Sequence, residues 1–170
     1  MTRWKLAAAA CTAVALLSSP ALAQRAGDAD RAGASIAGEL GFFVGNRGYT
    51  DFATGFRAGY TFPFHLYLGG DLTLYAAGGT FFTFSPEVGY DIGVTRSFVI
   101  RPYGGLGLVD FPNDFNDNNT VALAFYPGCE FLYHVTRGFF LGGDVRIPFL
   151  FVTNTNVIGL NLMFTLGYKW

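Results

Sequence analysis

The fourteen residues from Val157 to Trp170 alternate in polarity, with Ile158, Leu160, Leu162, Phe164, Leu166, Tyr168 and Trp170 on one face and Gly159, Asn161, Thr165, Gly167 and Lys169 on the other. A period of two predicts a strand, and one face that is wholly apolar and ends in an aromatic predicts the closing strand of a membrane barrel. The same period recurs upstream. It predicts eight strands, over residues 35–45, 52–62, 64–75, 81–93, 98–109, 120–134, 139–151 and 157–170. The fold class expected is all-β, an eight-stranded antiparallel up-and-down transmembrane barrel, with the even strand number of bacterial single-chain barrels.

The connections alternate in kind. Tight junctions fall at Thr61–Phe64, Val94–Ser97 and Val135–Gly138, and longer polar ones at Asn46–Asp51, Ala76–Thr80, Asp110–Asn119 and Val152–Asn156. Short periplasmic turns and longer external loops put both chain ends in the periplasm. An internal repeat fits this frame. At an offset of 41 residues, Phe84, Pro86, Val94, Thr95, Arg96 and Phe98 recur as Phe125, Pro127, Val135, Thr136, Arg137 and Phe139, as in a duplicated hairpin.

Charge distribution gives the strongest support. Strand three presents Phe64, Leu66, Leu68, Leu72 and Leu74 on one face, and strand seven Phe139, Leu141, Val145, Ile147, Phe149 and Phe151. All eight mid-strand charges, Glu39, Arg57, Asp71, Glu87, Arg101, Glu130, Asp144 and Arg146, fall on the other. A basic side chain facing lipid at the midplane costs about 2–4 kcal/mol, so segregation is the physical expectation. Soluble barrels of the lipocalin or streptavidin kind have the opposite polarity. Tyr60, Tyr90, Tyr133, Tyr168 and Trp170 gather near the proposed periplasmic ends, where an aromatic girdle belongs. Pro86, Pro102, Pro127 and Pro148 stand inside assigned strands, and local bulges are expected at each.

The N-terminus matches the destination. Arg3 and Lys5, the apolar stretch Leu6–Leu17 and Ala21-Leu22-Ala23 make residues 1–23 a secretory signal peptide cleaved before Gln24, with acylation at Cys11 as the rival reading. Residues 24–34 read as a disordered periplasmic lead and 35–170 as the barrel. The mature 147 residues carry nine Lys plus Arg and twelve Asp plus Glu, so no basic surface for nucleic acid is present. Cys129 is then the one cysteine, which excludes an intramolecular disulfide.

In architecture, residues 35–170 resemble the small eight-stranded outer-membrane barrels, the OmpA transmembrane domain, OmpX and opacity-protein class. Tyr168-Lys169-Trp170 is similar to the terminal aromatic signal read by the barrel assembly machinery, with Trp in place of the commoner Phe. The resemblance implies outer-membrane lipid and lipopolysaccharide as partners. A peptidoglycan-binding domain after Trp170 is not expected.

An eight-stranded barrel is just wide enough for side chains to fill it. Arg57, Arg101 and Arg146 are expected to bridge the five acids, with Tyr67, Tyr103 and Tyr126 completing a polar plug. The alternative is a narrow, weakly cation-preferring pore, with Gly55, Gly59, Gly69, Gly105 and Gly107 leaving room for water. Catalysis has little material. The lipid face offers Thr54 and Cys129, and His65 and His134, expected on the luminal face, have no Ser at motif spacing. The external loop groups Asp110, Phe111, Asp114, Phe115 and Asp117. Asp114, Asn116 and Asn118 have calcium-loop spacing without its Gly or distal Glu, so no metal and no cofactor are expected. The function expected is a non-enzymatic integral outer-membrane protein with a structural or surface-interaction role.

Overall fold

The computed structural model describes residues 31–46, 50–77, 79–111, 120–152 and 155–170. The segment expected to be a signal peptide, the expected lead up to residue 30, and loop residues Asp114, Phe115 and Asp117 lie outside them. Ten strand segments are formed: β1 (Gly33–Gly45), β2 (Thr50–Thr61), β3 (Leu66–Ala77), β4 (Gly79–Tyr90), β5 (Ile92–Gly93), β6 (Phe98–Phe111), β7 (Thr120–His134), β8 (Phe139–Arg146), β9 (Phe149–Val152) and β10 (Thr155–Lys169). They make eight staves, because β4 with β5 and β8 with β9 are successive pieces of single staves. All pairings are antiparallel, and β10 closes on β1. The first strand starts at Gly33, two residues ahead of the expected start.

Registers fix the barrel's shape. Following paired residues from Gly33 through Thr61, Tyr67, Gly89, Tyr103, Gly128, Arg146 and Asn161 returns to β1 at Phe43, ten residues further along. A stagger of that size over eight staves goes with a strand tilt of about 40°.

The prolines produce no bulges, contrary to expectation. β4 pairs with β6 at one register throughout, lapsing only at Ser85 and Pro86, the two pairs that need an N–H at position 86. Pro102 likewise accounts for the gap between β4 and β5, since Ile92↔Ile100 resumes the register of Gly89↔Tyr103. Pro127 and Pro148 together account for the break between β8 and β9. The reciprocal bonds survive, with Ile147 N donating to Pro127 O at 2.9 Å and Gly159 N to Pro148 O at 3.1 Å. In a closed barrel each backbone N–H faces one neighbour only. A proline therefore deletes one donor, while the ladder on both sides holds the register.

The two hairpin turns of the sequence repeat have one geometry. Val94 N and Thr95 N donate to Phe98 O, and Val135 N and Thr136 N to Phe139 O. Oγ1 of Thr95 accepts from Ser97 N and Phe98 N, and Oγ1 of Thr136 from Gly138 N and Phe139 N. The remaining turn spans residues 62–65, with His65 at a φ of 68°.

Polarity is inside out relative to a soluble barrel. Leu40, Phe56, Leu72, Phe84, Leu106, Phe125 and Phe164 are exposed on the outer face, whereas the charges are buried on the inner one.

Candidate functional site

Alternation along each stave decides which side chains enter the lumen. All eight predicted charges do so, and none is more than 5% exposed. Arg57 of β2 is the hub. Its Nη1 contacts Glu39 Oε1 at 3.3 Å and Glu130 Oε1, its Nε lies 3.2 Å from Glu87 Oε2, and its Nη2 lies 3.1 Å from Asp144 Oδ2. These carboxylates come from β1, β7, β4 and β8, so one guanidinium ties four other staves together.

Arg146 bridges three acids, with Nη1 on Asp71 Oδ1 at 2.8 Å and Nη2 on Glu39 Oε2 and Asp144 Oδ2, both at 2.6 Å. Arg101 holds Asp91 in two-pronged fashion, Nε to Oδ1 at 2.5 Å and Nη2 to Oδ2 at 3.0 Å, and reaches Glu130 Oε2 through Nη1 at 2.9 Å. Such forks are the strongest class of charged hydrogen bond. Of the three tyrosines expected to complete the plug, Tyr103 alone does so through its hydroxyl; Tyr67 takes part through its ring, and Tyr126 packs instead in the apolar cluster toward the loops, neither hydroxyl bonding to the network. Tyr103 OH donates to Asp144 Oδ1 at 2.8 Å, and the Arg101 guanidinium lies 3.9 Å from the centre of the Tyr67 ring.

Asp91, Thr61 and Lys169 belong to this network and were missed by the sequence reading. Thr61 Oγ1 donates to Asp91 Oδ2 at 3.0 Å, and Lys169 Nζ lies 3.5 Å from the same oxygen. The signal was present, because Asp91 continues the inward alternation of Glu87 and Gly89, although it stands at the end of its strand rather than in the middle. With these additions the network holds, among the described residues, six acids, Glu39, Asp71, Glu87, Asp91, Glu130 and Asp144, against four bases, Arg57, Arg101, Arg146 and Lys169.

Apolar clusters lie on the inner face toward both ends. Toward the loops, Phe43, Ala53, Tyr75, Val109, Ala124, Leu150 and Met163 pack together with Phe81, and the Tyr75 and Phe81 rings stack at 4.4 Å. Toward the termini, Ala37, Val99, Leu132 and Phe140 do the same. The glycine gaps are occupied. A Cβ at Gly59 or Gly69 would meet the Tyr67 ring, and one at Gly128 the Tyr103 ring.

His65 departs from its expected luminal position. It lies in the 62–65 turn with its ring 6.0 Å from that of outward-facing Tyr90, while His134 is buried beside Phe140. Thr54 donates to Glu39 O at 3.2 Å, and Cys129 lies 3.9 Å from Glu130 O. Of the external loop residues, Asp110 is half-buried near the end of β6 and Phe111 is the last residue of that strand. Tyr168 and Trp170 are exposed, with Tyr168 edge-on to Phe139 at 5.3 Å and stacked on Trp170 at 6.1 Å. Among the described residues no group of three or more His, Cys, Asp or Glu is arranged to hold a metal ion.

The chain has the fold of the small eight-stranded outer-membrane barrels. It is similar to the crystal structure of Neisserial surface protein A, NspA, with a TM-score of 0.66 and 17% identity over 81% of this chain and 96% of that one. The N-terminal barrel domain of Pseudomonas aeruginosa OprF gives a TM-score of 0.64 and 14% identity over 82% of this chain and 100% of that one. The outer membrane enzyme PagL gives a TM-score of 0.55 and 12% identity over 77% of this chain and 97% of that one. No protein-family model and no curated protein matches the sequence.

Proposed function

We propose that this chain is an integral protein of a bacterial outer membrane, exported behind a signal peptide cleaved after Ala23 and holding both mature termini in the periplasm. Its role is structural or surface-interacting, and its lumen is closed. The observation that carries the closed lumen is Arg57, held by carboxylates from four other staves at the middle of the barrel. Apolar clusters toward both ends add to this, because an ion would have to leave its hydration shell to pass them. One observation favours a narrow, weakly cation-preferring pore instead: buried acids outnumber buried Arg and Lys seven to four among the described residues.

The role is non-enzymatic. PagL shares the fold and is an enzyme, but here the outward hydroxyl of Thr54 donates to a backbone carbonyl, and His134 is buried beside the Phe140 ring. Outer-membrane lipid and lipopolysaccharide are the surroundings proposed for the apolar belt and the loops. Exposed Tyr168 and Trp170 are the proposed contact with the assembly machinery.

Cell fractionation with surface proteolysis tests the placement. Recovery in the outer-membrane fraction, with cleavage between residues 111 and 120 in intact cells, is expected. Recovery in the soluble or inner-membrane fraction contradicts it.

A further inference from the structure

The three tight turns at the terminus end share a length and a first hydrogen bond but differ in what they carry at the tip. Phe62 N donates to Leu66 O at 2.8 Å, as Val94 N donates to Phe98 O and Val135 N to Phe139 O, both at 2.9 Å. This equivalence places Phe64 where the repeated turns have Arg96 and Arg137, and all three side chains are exposed. Phe64 is 60% exposed. Its turn joins β2 to β3 and that of Arg137 joins β7 to β8, so the two tips lie on opposite sides of the barrel.

The phenylalanine tip is the end of a longer aromatic run. Phe62 lies edge-on to Tyr60 at 5.1 Å and stacks on Phe64 at 5.4 Å. Tyr60 pairs with Leu68, and both are exposed on the outer apolar face. The backbone beneath the run is fixed, with His65 N donating to Phe62 O at 2.9 Å and His65 O accepting from Asp91 N at 2.8 Å. Pro63 stands second in the turn, where its fixed φ suits the bend. The rings are therefore presented ready-made, and little ordering is needed to seat them.

We propose that the 62–65 turn is a membrane anchor, with Phe62 and Phe64 seated among the acyl chains just below the headgroups of the leaflet on the terminus side. Stacked rings at the tip of a turn leave apolar surface in water, and a turn continuous with a lipid-facing strand removes that surface by sinking. At the equivalent place on the opposite side, the Arg137 guanidinium resists the same depth and keeps its tip at the water side. The barrel thus sits unevenly, its rim deeper at the β2–β3 turn than at the β7–β8 turn.

The inference rests on the membrane-spanning reading, and the test separates the two. The full chain carrying Cys11→Ser and Cys129→Ser, with one nitroxide-labelled cysteine in place of Leu72, Pro63 or Val135, is folded into phosphatidylcholine vesicles. Heat-modifiable gel mobility checks that each is folded. Collisions of the label with oxygen, which gathers in the bilayer, and with a water-soluble nickel chelate are compared. Oxygen is expected to dominate at Leu72 on the belt and at Pro63, and the chelate at Val135. At Pro63 the dominance of oxygen is expected to be lost in the Phe62→Ser, Phe64→Ser variant and kept in Phe62→Leu, Phe64→Leu. Dominance of the chelate at Pro63, with oxygen still dominant at Leu72, overturns the anchor alone, whereas chelate dominance at Leu72 overturns the membrane reading and the anchor with it. Shielding of Pro63 from both reagents, as by a second copy or a soluble partner, overturns lipid as the occupant. Equal oxygen dominance at Pro63 and Val135 overturns the uneven seating, and oxygen dominance that survives the serine variant overturns the assignment to the two phenylalanines.

Discussion

Arg146 and Glu39 stand 107 positions apart in the sequence, yet Nη2 of the arginine lies 2.6 Å from Oε2 of the glutamate. Their staves flank β10, so this bond forms only when the last strand has closed on the first. The luminal network is thus a device of closure, built from contacts of long sequence separation.

Unequal roles within the network give the first prediction. Arg57→Met strips one partner from four buried carboxylates and is expected to destabilise the barrel by about 3–5 kcal/mol. Glu87→Gln removes an acid from a lumen already rich in them, and is expected to change stability by less than about 1 kcal/mol. Urea unfolding of both variants in lipid vesicles checks the contrast.

Asp91 gives the second. Asp91→Ala leaves the Arg101 fork without its two-pronged acceptor and Lys169 without that carboxylate, at a cost of about 3 kcal/mol in the same assay. Asp110→Ala, at a half-buried position outside the network, is expected to stay within about 0.5 kcal/mol of the parent.

Glycines on the two faces are expected to respond with opposite sign. Gly128→Ala drives a methyl group into the Tyr103 ring and displaces the hydroxyl from Asp144, costing about 1–3 kcal/mol. Gly70→Ala faces outward, with its nearest neighbour an ordinary 3.6 Å away, and is expected to stabilise by about 0.5–1 kcal/mol through reduced chain entropy. A cost at both positions would contradict the facing assignment.

The fold was legible because lipid and lumen impose opposite polarity on adjacent residues. Glu39, Arg57 and Asp144 could be placed inside from parity alone, and the repeated Val-Thr-Arg turns appeared both in sequence and in hydrogen bonding. Pairing was not legible. Which acid meets which arginine depends on the ten-residue stagger, which no single strand encodes. The prolines misled because a missing N–H in an edgeless sheet implies a bulge only if the register must yield, whereas Pro127 keeps its register by accepting from Ile147. The inner apolar clusters were hidden because Phe43 and Tyr75 read as ordinary strand aromatics until register set them side by side, 5.6 Å apart.

The closed lumen is tested most directly by single-channel recording of the folded protein in a planar bilayer, beside Arg57→Ala. A silent parent protein, shown to be folded, is the expected result. Stable ohmic steps from the parent, changing in size with the substitution, would contradict it and establish a continuous water path through the network.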